Sequence, residues 1–166
     1  MNSFELLKKK LGDLAITVDY YEHMPIFTAQ DGIKYTAHIP GLAAKNLFLS
    51  DKTNQFWLVV MPYHLKLNIR KLATLIGASE LQFAKPEQLL QYLGITPGSV
   101  TPLALINNLN NEVQVILDET LMAADLIQIH PLRNDMTVTM KPHDLLRFIE
   151  SCGNQYSIVN LDSIQK

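Results

Sequence analysis

Lys45 and Asn46 stand side by side where His38-Ile-Pro-Gly-Leu-Ala-Ala gives way to the apolar run Leu47-Phe48-Leu49. Lysine is among the residues least often buried, and an unpaired ammonium is costly to take out of water. A lysine abutting such a run therefore either reaches out to solvent or is placed to meet an anion. Two further stretches carry groups suited to a ligand. Gly94-Ile-Thr-Pro-Gly-Ser-Val-Thr-Pro102 holds two glycines and two prolines. Proline fixes φ and glycine lets a ligand come close to backbone, so this loop is rigid and can present amides and carbonyls. His130-Pro-Leu-Arg-Asn134 lies between two predicted strands and reads equally as a hairpin turn with a surface histidine.

Other chemistries find little support. The histidines at 23, 38, 64, 130 and 143 form no His-x-x-x-His pair and no His-Glu-x-x-His, so a metal centre is not expected. A P-loop and a Gly-x-Gly-x-x-Gly fingerprint are both missing, and no nucleotide cofactor is implied. Ser99 sits in Pro97-Gly98-Ser99-Val100, which is not the Gly-x-Ser-x-Gly elbow of hydrolases. Cys152 is alone, which excludes an intrachain disulfide and a cysteine cluster; it reads as a structural thiol ending an amphipathic helix. No covalent mechanism announces itself.

The elements that must position these groups are read from local pattern. Phe4, Leu7 and Leu11 predict a short helix stopped by Gly12, with Lys8, Lys9 and Lys10 on its solvated side. Ile16 to Tyr21 reads as a strand, and Pro25 as the first turn of a helix through Ile26, Phe27 and Thr28, punctuated by Asp31-Gly32. Leu47 to Leu49 and Phe56 to Met61 form a hairpin around a polar turn. Asn68 caps a helix closed by Gly77, Leu81 to Ala84 is a short strand, and Pro86 opens a helix ending at Gly94. An apolar stretch, Leu103 to Ile106, follows the Pro-rich loop. Strands are expected over Val113 to Leu117, Leu126 to Ile129, Met136 to Met140 and Tyr156 to Val159, with a helix from Pro142 to before Gly153.

With no repeat and no dividing linker, 166 residues read as one mixed α/β domain spanning 1–166. A hydrophobic content of 48% with 18% charged residues describes an ordinary globule. The net charge of −2 is not that of a protein coating long nucleic acid, yet it leaves room for a local contact with one RNA end. Charge runs through the first ten residues and no apolar run is long enough to cross a membrane, so a cytoplasmic protein is expected.

Taken together, His38-x-Pro-Gly-x-x-x-Lys45-Asn46-Leu-Phe-Leu, Gly94-x-x-Pro-Gly-Ser-Val-Thr-Pro102 and His130-Pro-x-x-Asn134 resemble the signature of the YbaK-like aminoacyl-tRNA editing family. That family includes free-standing proteins and the insertion domain of bacterial prolyl-tRNA synthetases. The resemblance covers nearly the whole chain and fits best the branch of free-standing alanyl-tRNA(Pro) deacylases. It implies a compact α/β fold with a mixed, barrel-like sheet flanked by helices. It also implies hydrolysis, in trans, of the ester joining a wrong amino acid to the end of tRNA(Pro). A synthetase fitted to proline cannot strongly reject something smaller, and a second site destroys the error. The related cysteinyl-tRNA(Pro) deacylases carry a Gly-Gly-x-Ser-Pro loop, where this chain reads Pro97-Gly98-Ser99-Val100-Thr101-Pro102. Cysteine, another small residue, or a non-catalytic module that binds aminoacyl-tRNA or a synthetase are the alternatives.

Roles follow by position in the resemblance. Lys45 is its required lysine, holding the terminal nucleotide or stabilising charge on the ester oxygens, and Asn46 orients substrate. Gly98 and Ser99 supply backbone around the attacking water and the amino acid. His130 lines the pocket, with its use as a general base disfavoured because nothing nearby in sequence orients it. Thr101 shares the loop, and Phe27 is a candidate pocket wall. No metal and no cofactor are implied. The partner is mischarged tRNA(Pro) through its acceptor end, with prolyl-tRNA synthetase or an elongation factor as transient partners; DNA and membranes are not expected. Lys66, Arg70 and Lys71, or Lys8 to Lys10, are the charges available to the acceptor stem.

Overall fold

The structure is a computed structural model and describes residues 2–166. In chain order the helices are α1 (Ser3–Asp13), α2 (Ala29–Thr36), α3 (Ile69–Ile76), α4 (Pro86–Leu93), α5 (Glu119–Met122) and α6 (Pro142–Cys152). The strands are β1 (Asp19–Glu22), β2 (Leu42–Ser50), β3 (Phe56–Pro62), β4 (Gln82–Phe83), β5 (Val113–Asp118), β6 (Ile127–Ile129), β7 (Met136–Met140) and β8 (Tyr156–Val159). Two 3-10 turns cover Pro102–Asn107 and Leu161–Ile164.

One mixed sheet runs β1-β7-β6-β2-β3-β5-β8, with β4 added to β2. β2 joins its parts. One edge pairs antiparallel with β3 from Ala44 to Ser50. The other edge is shared: β6 takes Leu42 and Ala43 in parallel, and β4 takes Leu49 and Ser50. Between those two short pairings the edge carries no strand, and that interval contains Lys45 and Asn46.

β3 is buried along its whole length because both faces of the sheet are covered. Phe56, Leu58 and Val60 enter the larger core with Leu7 and Leu11 of α1, Leu89 and Leu93 of α4, and Leu145 and Phe148 of α6. Trp57, Val59 and Met61 alternate into a smaller core with Leu72 of α3 and Leu161. Each such side chain removed from water contributes roughly 1.5–3 kcal/mol. β6 and β7 divide their faces differently. Ile127, Ile129, Val138 and Met140 join the larger core. Register places Gln128 opposite Thr139, so Gln128, His130, Thr137 and Thr139 share the other, polar face.

Several local expectations need correction. The helix expected at Pro25–Thr28 begins later, at Ala29, and Asp31-Gly32 lies within it. Thr28 is its N-cap: the Thr28 hydroxyl accepts from the Asp31 amide while the Asp31 carboxylate accepts from the Thr28 amide. This reciprocal capping box starts a helix where Asp-Gly reads as a turn. Gly12 does not stop α1, which continues through Asp13 and turns at Ala15. The strand expected at Ile16–Tyr21 is Asp19–Glu22, and Ile16 instead packs in the core. β2 starts five residues before Leu47, so Lys45 and Asn46 lie within it rather than at its mouth. Leu103 to Ile106 belongs to a 3-10 turn that Thr101 caps. Among the described residues no helix is long and apolar enough to cross a membrane.

Candidate active site

A cavity of about 560 Å³ opens at the unpaired interval of β2. That size falls within the roughly 300–1,000 Å³ of small-ligand pockets. Ala43, Lys45 and Asn46 form one side, and Gln128, His130 and Thr137 from β6 and its hairpin with β7 form another. Ala29, Ile33 and Thr36 of α2 and Gly98 and Val100 of the glycine-proline loop complete it.

Lys45 is half-buried, and its Nζ donates to the Leu65 carbonyl in the segment after β3. Burial lowers its pKa, and the nearby charges of Lys166 and Lys66 lower it further. Lys166 is brought there by its backbone amide, which donates to the Lys66 carbonyl at 2.8 Å. The result is a concentration of positive charge beside the cavity with no carboxylate among the causes of the Lys45 shift. An anionic or developing-oxyanion group would relieve that repulsion. Arg70 and Lys71 open α3, while Lys9 is paired with Asp13.

Asn46 donates from Nδ2 to the Val100 carbonyl at 3.1 Å, tying β2 to the glycine-proline loop. Its Oδ1 is buried without a partner among the described residues. Gly98 sits at φ +91, where a side chain is strained, and a Cβ built there meets nothing within 4 Å. The chain is therefore at its barest where it borders the cavity. Gly98 and Val100 line this cavity, whereas Ser99 lines a second one of about 390 Å³ on the other side of the loop. Thr101 is fully buried and its hydroxyl accepts from the Leu103 amide, capping the 3-10 turn. Phe27 is 79% exposed and is not among the residues around the cavity; its neighbours Ile26 and Thr28 are.

His130 does have an orienting partner. Its Nδ1 donates to the Met136 carbonyl at 3.0 Å across the β6–β7 hairpin, which leaves the Nε2 lone pair free. Burial pushes the imidazole below its ordinary 6.5, nearby His23 adds to this, and the Met136 bond opposes it. His23 itself bonds the Met24 carbonyl through Nδ1 and the Thr137 hydroxyl through Nε2, both at 2.8 Å. The same hairpin holds the start of α2: Asn134 accepts from the Ile26 amide at 2.9 Å through its carbonyl.

Sequence reasoning did not single out Gln128, Thr137 or His23. The alternation Ile127-Gln128-Ile129 and Met136-Thr137-Val138-Thr139-Met140 does mark one polar face. Alternation cannot tell that this face is covered, yet Gln128 is only 7% exposed. Among the described residues no three His, Cys, Asp or Glu side chains gather as a metal site requires.

Residues 23–148 match the family model of the aminoacyl-tRNA editing domain. The prolyl-tRNA editing protein ProX of Acetoanaerobium sticklandii is 32% identical over 162 residues, covering 97% of this chain and 99% of its own. Prolyl-tRNA synthetase associated domain-containing protein 1 of Danio rerio is 34% identical, covering 94% and 86% respectively. The fold resembles a solved structure described as a candidate trans-editing enzyme for prolyl-tRNA synthetase, with a TM-score of 0.71, 19% identity and coverage of 96% and 98%. With the match to the family model spanning most of its length, this chain belongs to the aminoacyl-tRNA editing domain family.

Proposed function

We propose that this protein is a trans-acting deacylase that clears alanine from mischarged tRNA(Pro) in the cytoplasm. The observation that carries this reading is Lys45: an ammonium half-buried at a cavity wall, repelled by Lys66 and Lys166, with the bare backbone at Gly98 lining the same cavity. Family membership and relatives named for prolyl-tRNA editing support the same conclusion.

The reaction is hydrolysis of an ester that is already reactive. Water attacks the carbonyl carbon, the bond to the ribose oxygen breaks, one proton of the water ends on that oxygen and the other passes to solvent, and the amino acid departs as a carboxylate. Lys45 has donors beyond the one given to Leu65, and these meet the ester oxygens as charge builds. Gly98 and Val100 border the acyl group, and Asn46 keeps their loop against β2. His130 narrows the cavity and offers a neutral nitrogen toward it. Positioning and oxyanion stabilisation, with the substrate's own ribose hydroxyl, then suffice without a covalent intermediate. Lys66 and Lys166 extend the positive charge toward the acceptor end, giving a weak, salt-sensitive contact. Prolyl-tRNA synthetase or an elongation factor would hand over or receive the tRNA transiently.

The test is deacylation of tRNA(Pro) charged separately with alanine, cysteine and proline, by the wild type and by Lys45→Ala. Rapid loss of alanine alone, abolished by the substitution, is expected. Preference for cysteine would move the protein to the other branch. Hydrolysis of none of the three would make it a binding module.

A further inference from the structure

Gln128 is a polar side chain on the wall of the cavity that the reaction above does not use. It is only 7% exposed, and its neighbours along β6 enter the core. Its amide nitrogen faces three main-chain carbonyls, of Ile39 at 2.8 Å, Gly41 at 3.1 Å and Pro40 at 3.3 Å. Three acceptors around one end settle which end is nitrogen. The other end, Oε1, bonds no group among the described residues, although it has two lone pairs.

On the β2 side stand a donor, the Lys45 ammonium, and an unpartnered acceptor, Asn46 Oδ1, on adjacent and so oppositely directed residues of the strand. On the β6–β7 side stand acceptors, Gln128 Oε1 and His130 Nε2, the latter left free by the Nδ1 bond to Met136. Register puts Gln128 directly opposite Ala43, two residues before Lys45, so Ala43, Lys45 and Gln128 point to the same side of the sheet. A ligand fitting this arrangement carries donor protons toward β6 and oxygen acceptors toward Lys45. An α-aminoacyl ester has that pattern.

We propose that Gln128 Oε1 receives the α-amino group of the aminoacyl ester, fixing the substrate with its amine toward β6 and its ester toward Lys45. This rests on the deacylase reading and deepens it. Gln128 is then a specificity residue: it requires an amine on the acyl group, while its nitrogen separately holds the turn that leads into β2.

The two roles are separated by changing the substrate. Single-turnover hydrolysis is measured for tRNA(Pro) carrying alanine and for tRNA(Pro) carrying propionate, which has hydrogen in place of the amine. Gln128→Met is expected to slow the alanyl ester at least tenfold and the propionyl ester less than threefold. Gln128→Glu keeps an acceptor oxygen, and is expected to retain the wild-type ratio between the two esters whatever the turn loses. Equal slowing of both esters by Gln128→Met, or no slowing of either, would overturn the proposal by leaving only the turn. Should Gln128→Met not fold, a collapsed ratio in Gln128→Glu would overturn it as well. Failure of the wild type to hydrolyse any of the alanyl, cysteinyl and prolyl esters would instead remove the deacylase reading, and is seen before any variant is made. Should the wild type prefer cysteine, cysteinyl and 3-mercaptopropionyl esters give the same comparison.

Discussion

Nζ of Lys45 on β2 donates to the carbonyl of Leu65, in the segment that follows β3. One proton of the ammonium is used there and the side chain is held in place, so its remaining donors are aimed without further ordering. Lys45→Ala should lower deacylation by about 10²–10³-fold, the usual loss when a donor to a developing oxyanion is removed. Folding should change by only about 1 kcal/mol, the net worth of one hydrogen bond. Lys45→Arg should not restore activity, because a planar guanidinium cannot occupy the point-charge position. Single-turnover rates set beside urea melts check both halves of this expectation.

His130 gives a pH dependence of defined sign. Its imidazole is held below the ordinary 6.5, chiefly by burial. The unfolded chain therefore takes up this proton first, and the fold loses stability as pH falls from about 6.5 toward the lower folded value. Above 6.5 both states are neutral at this site and the full stability is present. Urea unfolding at pH 7.5 and 5.5 should show a larger loss for the wild type than for His130→Gln. A ring titration midpoint below 6.5 by NMR is the direct check.

Asp51 stabilises the β2–β3 hairpin. It is 5% exposed, and its carboxylate accepts from Thr53 through both amide and hydroxyl, from the Gln55 amide, and from the Ser79 amide. These bonds outweigh the opposing effect of burial and hold its pKa below 3.8. Its contribution is present above 3.8 and is lost as pH falls through the folded value. Asp51→Ala should destabilise by about 2 kcal/mol or more, since bonds to a charged acceptor are each worth roughly 1.5–3 kcal/mol. Thermal melts at neutral pH measure the loss, and the variant should be less sensitive to acid.

Gly41 has φ +101, and a Cβ added there would lie 3.0 Å from the Leu126 carbonyl oxygen. That oxygen also accepts from the Leu42 amide at 2.9 Å, so backbone cannot easily give way. Gly41→Ala should cost about 1–3 kcal/mol of stability. It should also slow deacylation by displacing the start of β2, even though Gly41 carries no functional group. Equal activity at full folding would show that the turn does not position Lys45.

Much of the fold was legible because its signals are local. Pro86 and Gly94 bracket α4, Asn68 caps α3, and two apolar runs around a polar turn are β2 and β3. Where local signals compete, reading failed. Asp31-Gly32 is a turn pair by composition, but Thr28 and Asp31 cap one another, and the chain there is helix. In the candidate site, the family resemblance singled out the lysine, the glycine and the histidine, and all three line one cavity. Ser99 was not separable from Gly98, because which side of a loop a residue faces depends on what packs against it.

By itself the sequence determined most of the elements, their order and the family signature, and through that signature it offered Lys45, Gly98 and His130 as candidates. Tertiary structure decided that these meet. The parallel pairing of Leu42 with Ile127 and Ala43 with Gln128 joins segments far apart in the chain, and nothing local specifies it. That pairing ends where Lys45 begins its interval without a neighbouring strand, and so it opens the cavity. It also turns Gln128 from one polar residue in a short apolar strand into a buried amide with an oxygen free. Hydrophobic periodicity reports which side chains share a face, but only the register of distant strands decides what that face encloses.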